Sequence, residues 1–168
     1  QSLDLEEQLK ELTFDMVICF NPSNSTLFNQ TILHTGKLVL IAPKDQSPKE
    51  GIFKLSTIKD EPFIKIKNLK TNQAQNNLDE VLAREGIRVN WIAETETIQV
   101  AKAMVEKGSG YSIIDDFSAK IYGESISIRE IEPSIGYEIC MISNKEKPLS
   151  VNAKSFISYL EGVASDSN

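Results

Sequence analysis

Short hydrophobic runs alternate along this chain with longer stretches in which apolar residues recur at every third or fourth position. The short runs predict strands at 15–20, 37–42, 63–67, 89–93, 111–114, 125–131 and 137–143. The periodic stretches predict helices at 3–12, at 75–85, from Ile98 to a stop at Gly108, at 118–122 and after Ser150. Ser150 is expected to cap the last helix, which is expected to bury Ala153, Phe156, Ile157 and Leu160. Strands that alternate with helices are typical of an α/β fold.

The order of these elements predicts two lobes. Residues 62–131 contain a complete series of strands and helices, whereas the segments 1–61 and 132–168 cannot each form a core alone. We therefore expect 1–61 and 132–168 to pack together as lobe one and 62–131 to form lobe two. Two crossings are expected to join the lobes, through the polar stretch 44–60 and through Pro133–Gly136. Such a pair of lobes is typical of proteins that close around a small molecule.

The charge of the chain argues against a nucleic-acid-binding surface. Its 168 residues include 24 acidic and 18 basic side chains, for a net charge of -6, whereas DNA-binding domains carry basic patches. This segment is therefore not expected to bind DNA by itself. The apolar runs are too short to cross a bilayer, so no membrane partner is expected. Cys19 and Cys140 lie in strand-like runs, where cysteines are usually buried and reduced.

No arrangement of side chains in the sequence predicts catalysis. The only histidine, His34, is expected in a surface loop without a nearby nucleophile, and one histidine with two distant cysteines does not predict a metal site. Asp115 and Asp116 precede a short helix, where acidic residues favour capping. Gly108–Gly110 lacks the lysine of a phosphate-binding loop and ends a helix. We therefore expect neither an enzyme nor a cofactor.

The openings of two helices in the middle block are the candidate binding site. Helices that follow the strands of an α/β sheet present unpaired N–H groups at one edge, where they favour an anion or a carbonyl. Side chains at Asn68–Gln73 and Thr95–Thr97 fit this position but could equally be helix N-caps. Lys67 and Lys70 would favour an anionic effector. The candidate effector-binding residues at these openings are Asn68, Thr71, Asn72, Gln73, Thr95 and Thr97. Ser2, at the start of the first helix, is expected to close the site from lobe one, and Asn21 and Tyr137 are further candidates near the hinge.

The sequence resembles a known family in the order and spacing of five segments, which are FDMVICF, KLVLIAPKDQSP, DEPFIKI, LDEVLAREGIRVNWIAETETIQVAKAMVEKGSGYSIID and KPLSVNAKSFISYLEG. The most specific part is the strand, polar turn, helix and glycine turn at 94–114. On these segments the chain resembles, nearly from end to end, the effector-binding domain of LysR-type transcriptional regulators. One departure is Asp115, which stands where that family usually has a proline.

The resemblance implies a type 2 periplasmic-binding-protein fold with a small-molecule inducer between two lobes. It also implies a bacterial, cytoplasmic regulator that forms a homodimer or tetramer and binds DNA through a separate N-terminal winged helix-turn-helix domain. That domain and the first strand-helix-strand unit of lobe one are not in this chain, which we expect to be a fragment. The implied dimer surfaces are the helix at 3–12 and the helix that begins near Thr97. The family's peroxide-sensing branch has its redox cysteines in lobe two, where this sequence has none, so a thiol sensor of that type is not expected.

Two other functions of the same fold stay open. A free-standing solute-binding protein would need a secretion signal in the full gene product. An enzyme would need a catalytic group of side chains that the sequence does not reveal.

Overall fold

The computed structural model describes residues 8–9, 11, 14–20, 22, 26–44, 51–58, 60–67, 73–121 and 125–166. The strands are β1 Met16–Phe20, β2 Phe28–Pro43, β3 Phe53–Lys54, β4 Pro62–Ile66, β5 Asn90–Thr95, β6 Tyr111–Asp115, β7 Ile126–Glu132 and β8 Gly136–Asn144. The α-helices are α1 Gln73–Arg84, α2 Ile98–Glu106, α3 Asp116–Ile121 and α4 Val151–Asp166, and a 3₁₀ turn lies at Leu55–Thr57.

The predicted α/β class is confirmed. No helix in this part of the chain is long and apolar enough to span a membrane. The helix predicted at 3–12 falls mostly outside these residues.

The chain forms two compact units, of which unit 1 comprises Gln1–Thr35, Lys70–Gln73 and Glu138–Asn168. In unit 1, β1 pairs antiparallel with β8, from Met16 opposite Ser143 to Phe20 opposite Ile139. This pairing joins a strand near the start of the chain to a strand near its end within unit 1. The core of this unit includes Leu9, Val17, Phe28 and Ile142, all less than 9% exposed.

The last helix, α4, begins where the sequence predicts but buries less. The Ser150 hydroxyl accepts a hydrogen bond from the Ala153 N–H at 3.2 Å, so Ser150 is the N-cap. Ala153 is buried, whereas Phe156 is 44% exposed, and the prediction that Phe156 lies in the core is wrong. Periodicity identifies the apolar side of a helix, but it does not determine how much of that side another element covers.

Unit 2 comprises Gly36–Leu69 and Ala74–Tyr137. Its sheet has the order β7, β2, β6, β4, β5, in which β4 runs parallel to both β5 and β6. The β-branched and aliphatic residues of the central strands form the core together with the buried side of α2. The buried members of that cluster are Val39, Ile41, Ile64, Ile66, Ala101, Val105, Ile114, Ala119 and Ile126.

Strand β2 differs most from its prediction. It starts at Phe28, nine residues before the predicted start, so His34 lies in a strand and not in a loop. In unit 2, β2 lies between β6 and β7 and is antiparallel to both. The block 62–131 is therefore not self-contained, and the strand at 37–42 that was predicted in lobe one belongs to unit 2. Strand partners are chosen by distant parts of the chain, so the local pattern did not reveal them.

The segment predicted as a crossing at 44–60 also belongs to unit 2. Leu55 and Ile58 are fully buried although most of their neighbours are polar, and β3 pairs with β7. Two of the places where the chain passes between the units lie inside β2, after Thr35, and inside β8, after Tyr137. The boundaries thus differ from the predicted lobes 1–61 with 132–168 and 62–131, because two apolar side chains anchor a stretch whose composition resembles a linker.

The glycine turn after α2 is where the sequence predicts it. Gly108 has a φ of 76° and Gly110 a φ of 152°, values that L-residues with a side chain rarely adopt. A Cβ atom at Gly110 would also collide with the Pro62 carbonyl oxygen. Only glycine therefore allows β6 to start this close to β4.

Candidate functional site

One edge of the unit 2 sheet collects the ends of several strands. The parallel strands β4, β5 and β6 all finish at this edge, and Lys67 N–H donates to the Thr95 carbonyl at 2.7 Å just beyond the end of β4. Because β2 is antiparallel to β6 with Leu38 opposite Asp115, residues 36–38 reach the same edge. Helices α1, α2 and α3 follow β4, β5 and β6 in the chain. The carboxyl edge of parallel strands is where α/β proteins usually bind ligands.

A group of four residues at this edge, which we call the Tyr137 cluster, consists of Gly36, Lys37, Asp116 and Tyr137. The Tyr137 hydroxyl donates to Asp116 Oδ1 at 2.8 Å, and the Lys37 backbone N–H donates to the same oxygen at 3.2 Å. Tyr137 is only 2% exposed. Its Oη also accepts a hydrogen bond from the Phe117 N–H at 3.4 Å. The cluster thus connects the start of α3 to β2 and β8 at the place where both strands leave unit 2.

The two ionisable side chains of the cluster affect each other's pKa. Burial raises the pKa of Asp116, but the hydrogen bonds from Tyr137 and Lys37 and the charge of Lys120 outweigh burial and lower this pKa below its ordinary value. Burial, the hydrogen bond to Asp116 and the nearby carboxylates raise the pKa of Tyr137 far above its ordinary value. Asp116 is therefore a carboxylate and Tyr137 a neutral hydroxyl at neutral pH.

Gly36 allows the cluster to assemble. A Cβ atom at position 36 would lie 2.5 Å from Tyr137 Oη and still closer to Asp116 Oδ1. Such distances are below any ordinary van der Waals contact. Glycine is needed here for space, and not for an unusual backbone conformation.

The neighbouring aspartate has a different role. Asp115 is 5% exposed, and its Oδ1 accepts a hydrogen bond from the Ser118 N–H at 2.7 Å. This is the capping predicted for the Asp115–Asp116 pair. Asp116 lies in the first turn of α3, as an acidic residue favours, but its Oδ1 is bound by Tyr137 and Lys37 instead of by the first turn of its own helix.

The Thr95–Thr97 turn forms the opening of α2. Thr97 Oγ1 accepts from the Val100 N–H at 3.4 Å, and the Thr97 N–H donates to Thr95 Oγ1 at 3.3 Å. The Thr97 hydroxyl is thus an N-cap, and its hydrogen remains available to a further acceptor. Lys67 Nζ lies 2.9 Å from Glu96 Oε1, and the hydrogen bond and charge of Glu96 raise the pKa of Lys67. Much of the positive charge expected from Lys67 is therefore offset locally.

The structure describes only some of the predicted binding residues. Thr95, Thr97 and Tyr137 lie at the edge just described. Gln73 begins α1. The remaining candidates, Ser2, Asn21, Asn68, Thr71 and Asn72, and the cation Lys70 lie outside the described residues.

Sequence reasoning missed Gly36, Lys37 and the contact between Asp116 and Tyr137. Asp116 and Tyr137 were each noticed, but their sequence separation of 21 positions gave no signal that they touch. In the sequence Gly36 lies just before the predicted strand at 37–42 and resembles an ordinary loop glycine, whereas the structure places it inside β2.

Two open cavities lie elsewhere on unit 2, with volumes of about 290 and 480 Å³. Both are lined by Ser56, Glu85 and Ile87, beside the carboxyl end of α1. The sheet edge lies toward the opposite end of that helix, roughly 18 Å away at 1.5 Å per residue. These cavities are therefore separate from the Tyr137 cluster.

Three parallel strands, followed by helices that open at their carboxyl edge, define the class as a ligand-binding α/β domain. The family model described as LysR substrate binding domain matches residues 1–165. The chain belongs to this family, which confirms the resemblance seen in the sequence and the two-lobed fold that it implies. It is the ligand-sensing regulatory domain of a LysR-type transcriptional regulator.

Solved structures with the same fold are distant in sequence. The regulatory domain of CcmR from Synechocystis PCC6803, in complex with 2-PG, has a TM-score of 0.82 and 20% identity over 95% of this chain and 78% of that chain. The effector-binding domain of QuiR in complex with shikimate has a TM-score of 0.78 and 21% identity over 96% and 77%. Full-length CbnR complexed with its target DNA has a TM-score of 0.74 and 19% identity over 95% and 56%. The comparison with curated proteins gave no match.

Proposed function

We propose that this domain binds a small anionic effector at the carboxyl edge of β4, β5 and β6. The observation that carries the proposal is that the opening of α2, the start of α3 and the Tyr137 cluster meet at one edge of one sheet. Helix openings supply N–H groups and a partial positive charge that suit a carboxylate or phosphate. The residues that contact the effector in this proposal are Ser2, Asn21, Asn68, Thr71, Asn72, Gln73, Thr95 and Thr97, with Tyr137 as a positioning residue.

The geometry suggests different roles for the placed members of this set. The Thr97 hydroxyl can donate to an effector while its oxygen still caps α2. The Tyr137 hydroxyl is buried and donates to Asp116, so we propose that Tyr137 orients the start of α3 and contacts the effector only through that helix. Asp115 and Asp116 add negative charge, which favours an effector that also carries hydroxyl groups able to donate to carboxylates.

Two related proteins support this chemistry. CcmR is solved with 2-PG and QuiR with shikimate. We propose an effector of the same general size for this chain, with an acidic group and hydroxyl or phosphate oxygens. The domain would act as a sensor without catalytic activity of its own.

We also propose that the effector signal reaches DNA through assembly. Full-length CbnR, which has the same fold over 56% of its length, is solved with its target DNA. By this analogy the present chain is part of a longer cytoplasmic regulator, and effector binding rearranges a homodimer or tetramer whose N-terminal domains contact DNA. Analytical ultracentrifugation with and without effector tests this step, and an effector that changes neither mass nor shape of the assembly contradicts it.

The effector site is tested by thermal shift with a library of small organic acids that includes 2-PG and shikimate. A ligand that binds only the folded state raises the unfolding temperature. At a ligand concentration of a hundred times Kd, the free energy of unfolding increases by about 2.7 kcal/mol. The dissociation constant of each hit is then measured by calorimetry at a temperature where every variant is folded. At such a temperature, a lower affinity reports the loss of a ligand contact and not the loss of stability that follows from removing the Thr97 cap.

In that assay, Thr97→Ala combined with Asn72→Ala is expected to weaken binding roughly ten- to a hundredfold, as for one or two hydrogen bonds to a charged ligand. Thr97→Ser is the matched control, because it keeps both the cap and the donor and should bind as the natural chain does. Unchanged affinity in the double variant would show that the effector binds elsewhere.

A further inference from the structure

The only two cysteines of the chain face each other across two strands. Cys19 lies directly opposite Cys140 in the antiparallel pair of β1 and β8, although more than a hundred residues separate them in the sequence. Neither forms a disulfide in the structure. Residues directly opposite in an antiparallel pair have Cβ atoms about 4.5–5.5 Å apart. The two thiols are therefore neighbours on one face of unit 1.

The packing around the pair shows which face this is. Val17 and Ile142 form the next opposite pair on the same face, and Cys19 packs against the core cluster that contains them. Ile18, between Val17 and Cys19, points to the other face and is 43% exposed. The register thus brings two thiols together at the border of a hydrophobic core.

The two sulfurs differ in accessibility. Cys140 is fully buried, and its Sγ accepts a hydrogen bond from Gln30 Nε2 at 3.4 Å. Burial, together with the Glu138 carboxylate 3.8 Å away, raises the pKa of Cys140. Cys19 is only half-buried. A reagent from solution therefore reaches Cys19 first, and Cys140 is placed to react with whatever forms on Cys19.

We propose that Cys19 and Cys140 form a dithiol site that undergoes thiol–disulfide exchange with low-molecular-weight disulfides of the glutathione class. The Cys19 thiolate attacks one sulfur of the small disulfide, which forms a mixed disulfide and releases one small thiol. Cys140 then loses its proton and attacks Cys19 Sγ, which forms the Cys19–Cys140 bond and releases the second small thiol. In total, two protein thiols are oxidised to one disulfide while one small disulfide is reduced to two small thiols.

The structure supports closure of this bond within one chain. A disulfide needs Cβ atoms about 3.5–4.5 Å apart, so a small approach of β1 and β8 is enough. In the unfolded chain the same bond must close a loop of more than a hundred residues. The folded chain should therefore form it much more readily, and the bond should stabilise the fold by restricting the unfolded state.

The test equilibrates the chain with glutathione buffers of increasing oxidised-to-reduced ratio, quenches with acid and identifies the products by peptide mass spectrometry. The folded chain is expected to lose both thiols together and to link the Cys19 and Cys140 peptides without bound glutathione. Half-oxidation should need a ratio at least about tenfold lower than for the chain unfolded in denaturant, because the fold holds the thiols together. Cys140→Ala is expected to accumulate glutathione on Cys19.

The control is Cys19→Ser combined with Ile18→Cys, which keeps two cysteines but moves one to the opposite face of β1. Circular dichroism establishes that this variant is folded, and it should form no internal disulfide although its thiol at position 18 is more exposed. Equal disulfide formation in this variant would overturn the proposal. So would glutathione adducts on both cysteines of the natural chain, or a folded chain that oxidises no more readily than the unfolded one.

Discussion

Adding a single methyl group at position 36 tests how tightly this residue packs against Tyr137 and Asp116. In Gly36→Ala the new Cβ would lie 2.5 Å from Tyr137 Oη and closer to Asp116, so the cluster must separate. Overpacking of this kind typically destabilises a protein by about 1–3 kcal/mol. Urea denaturation measures the change. Gly136→Ala is the matched control, since its nearest neighbour, the Gly36 carbonyl oxygen, is 3.8 Å away. Equal effects of the two substitutions would contradict the described packing.

The carboxylate of Asp116 makes stability depend on pH. Its pKa is lowered in the folded state, so its contribution is fully present above the ordinary aspartate pKa of about 3.9 and disappears as the pH falls through the lower folded value. Asp116→Asn should therefore destabilise the domain at neutral pH, by about 1–3 kcal/mol, and the difference from the natural chain should shrink below about pH 4.

Denaturation series from neutral to acidic pH check this expectation. Tyr137→Phe removes the main donor to Asp116 and should weaken the same pH dependence without removing the carboxylate. A stability difference between Asp116→Asn and the natural chain that stays constant down to about pH 3 would rule out this role for Asp116.

At the scale of elements, the stretch after β2 shows how a polar segment can be structural. Leu55, at the start of the 3₁₀ turn, is fully buried, whereas nearby Ile52 is 57% exposed. Leu55→Ala should cost about 2–5 kcal/mol, as truncation of a buried leucine usually does. Ile52→Ala should stay within about 0.5 kcal/mol. Thermal or urea unfolding distinguishes them, and a neutral Leu55→Ala would restore the interpretation of 44–60 as a linker.

For the molecule as a whole, the net charge determines whether the domain can bind DNA in the absence of a separate DNA-binding domain. Its 24 acidic residues outnumber its 18 basic ones, and the resulting net charge of -6 opposes the phosphate contacts that non-specific DNA binding requires. We expect no fluorescence-anisotropy change when it is titrated into labelled duplex DNA at about 50 mM salt, a condition that favours such contacts. A basic DNA-binding domain serves as the positive control. Saturable binding that weakens steeply with salt would contradict the expectation.

Local signals in the sequence were enough to predict several helices and strands. Helix α2 has its N-cap at Thr97 and ends at Glu106, just before the predicted stop at Gly108, because caps, helical periodicity and glycine stops act within a few residues. The same local signals placed β1, β4 and β6 within one or two residues of their observed bounds. Their order along the chain also sufficed for the resemblance to the family.

Which distant residues contact one another became visible only in the folded chain. The partners of β2, the burial of Leu55, the contact of Gly36 with the Tyr137–Asp116 pair and the register of Cys19 with Cys140 all join parts of the chain that are far apart in sequence. Such contacts depend on how strands order themselves in a sheet, which is settled by the packing of the whole core and not by any local preference. Part of the candidate site is made of these contacts, so its helix openings were predictable and the Tyr137 cluster beside them was not.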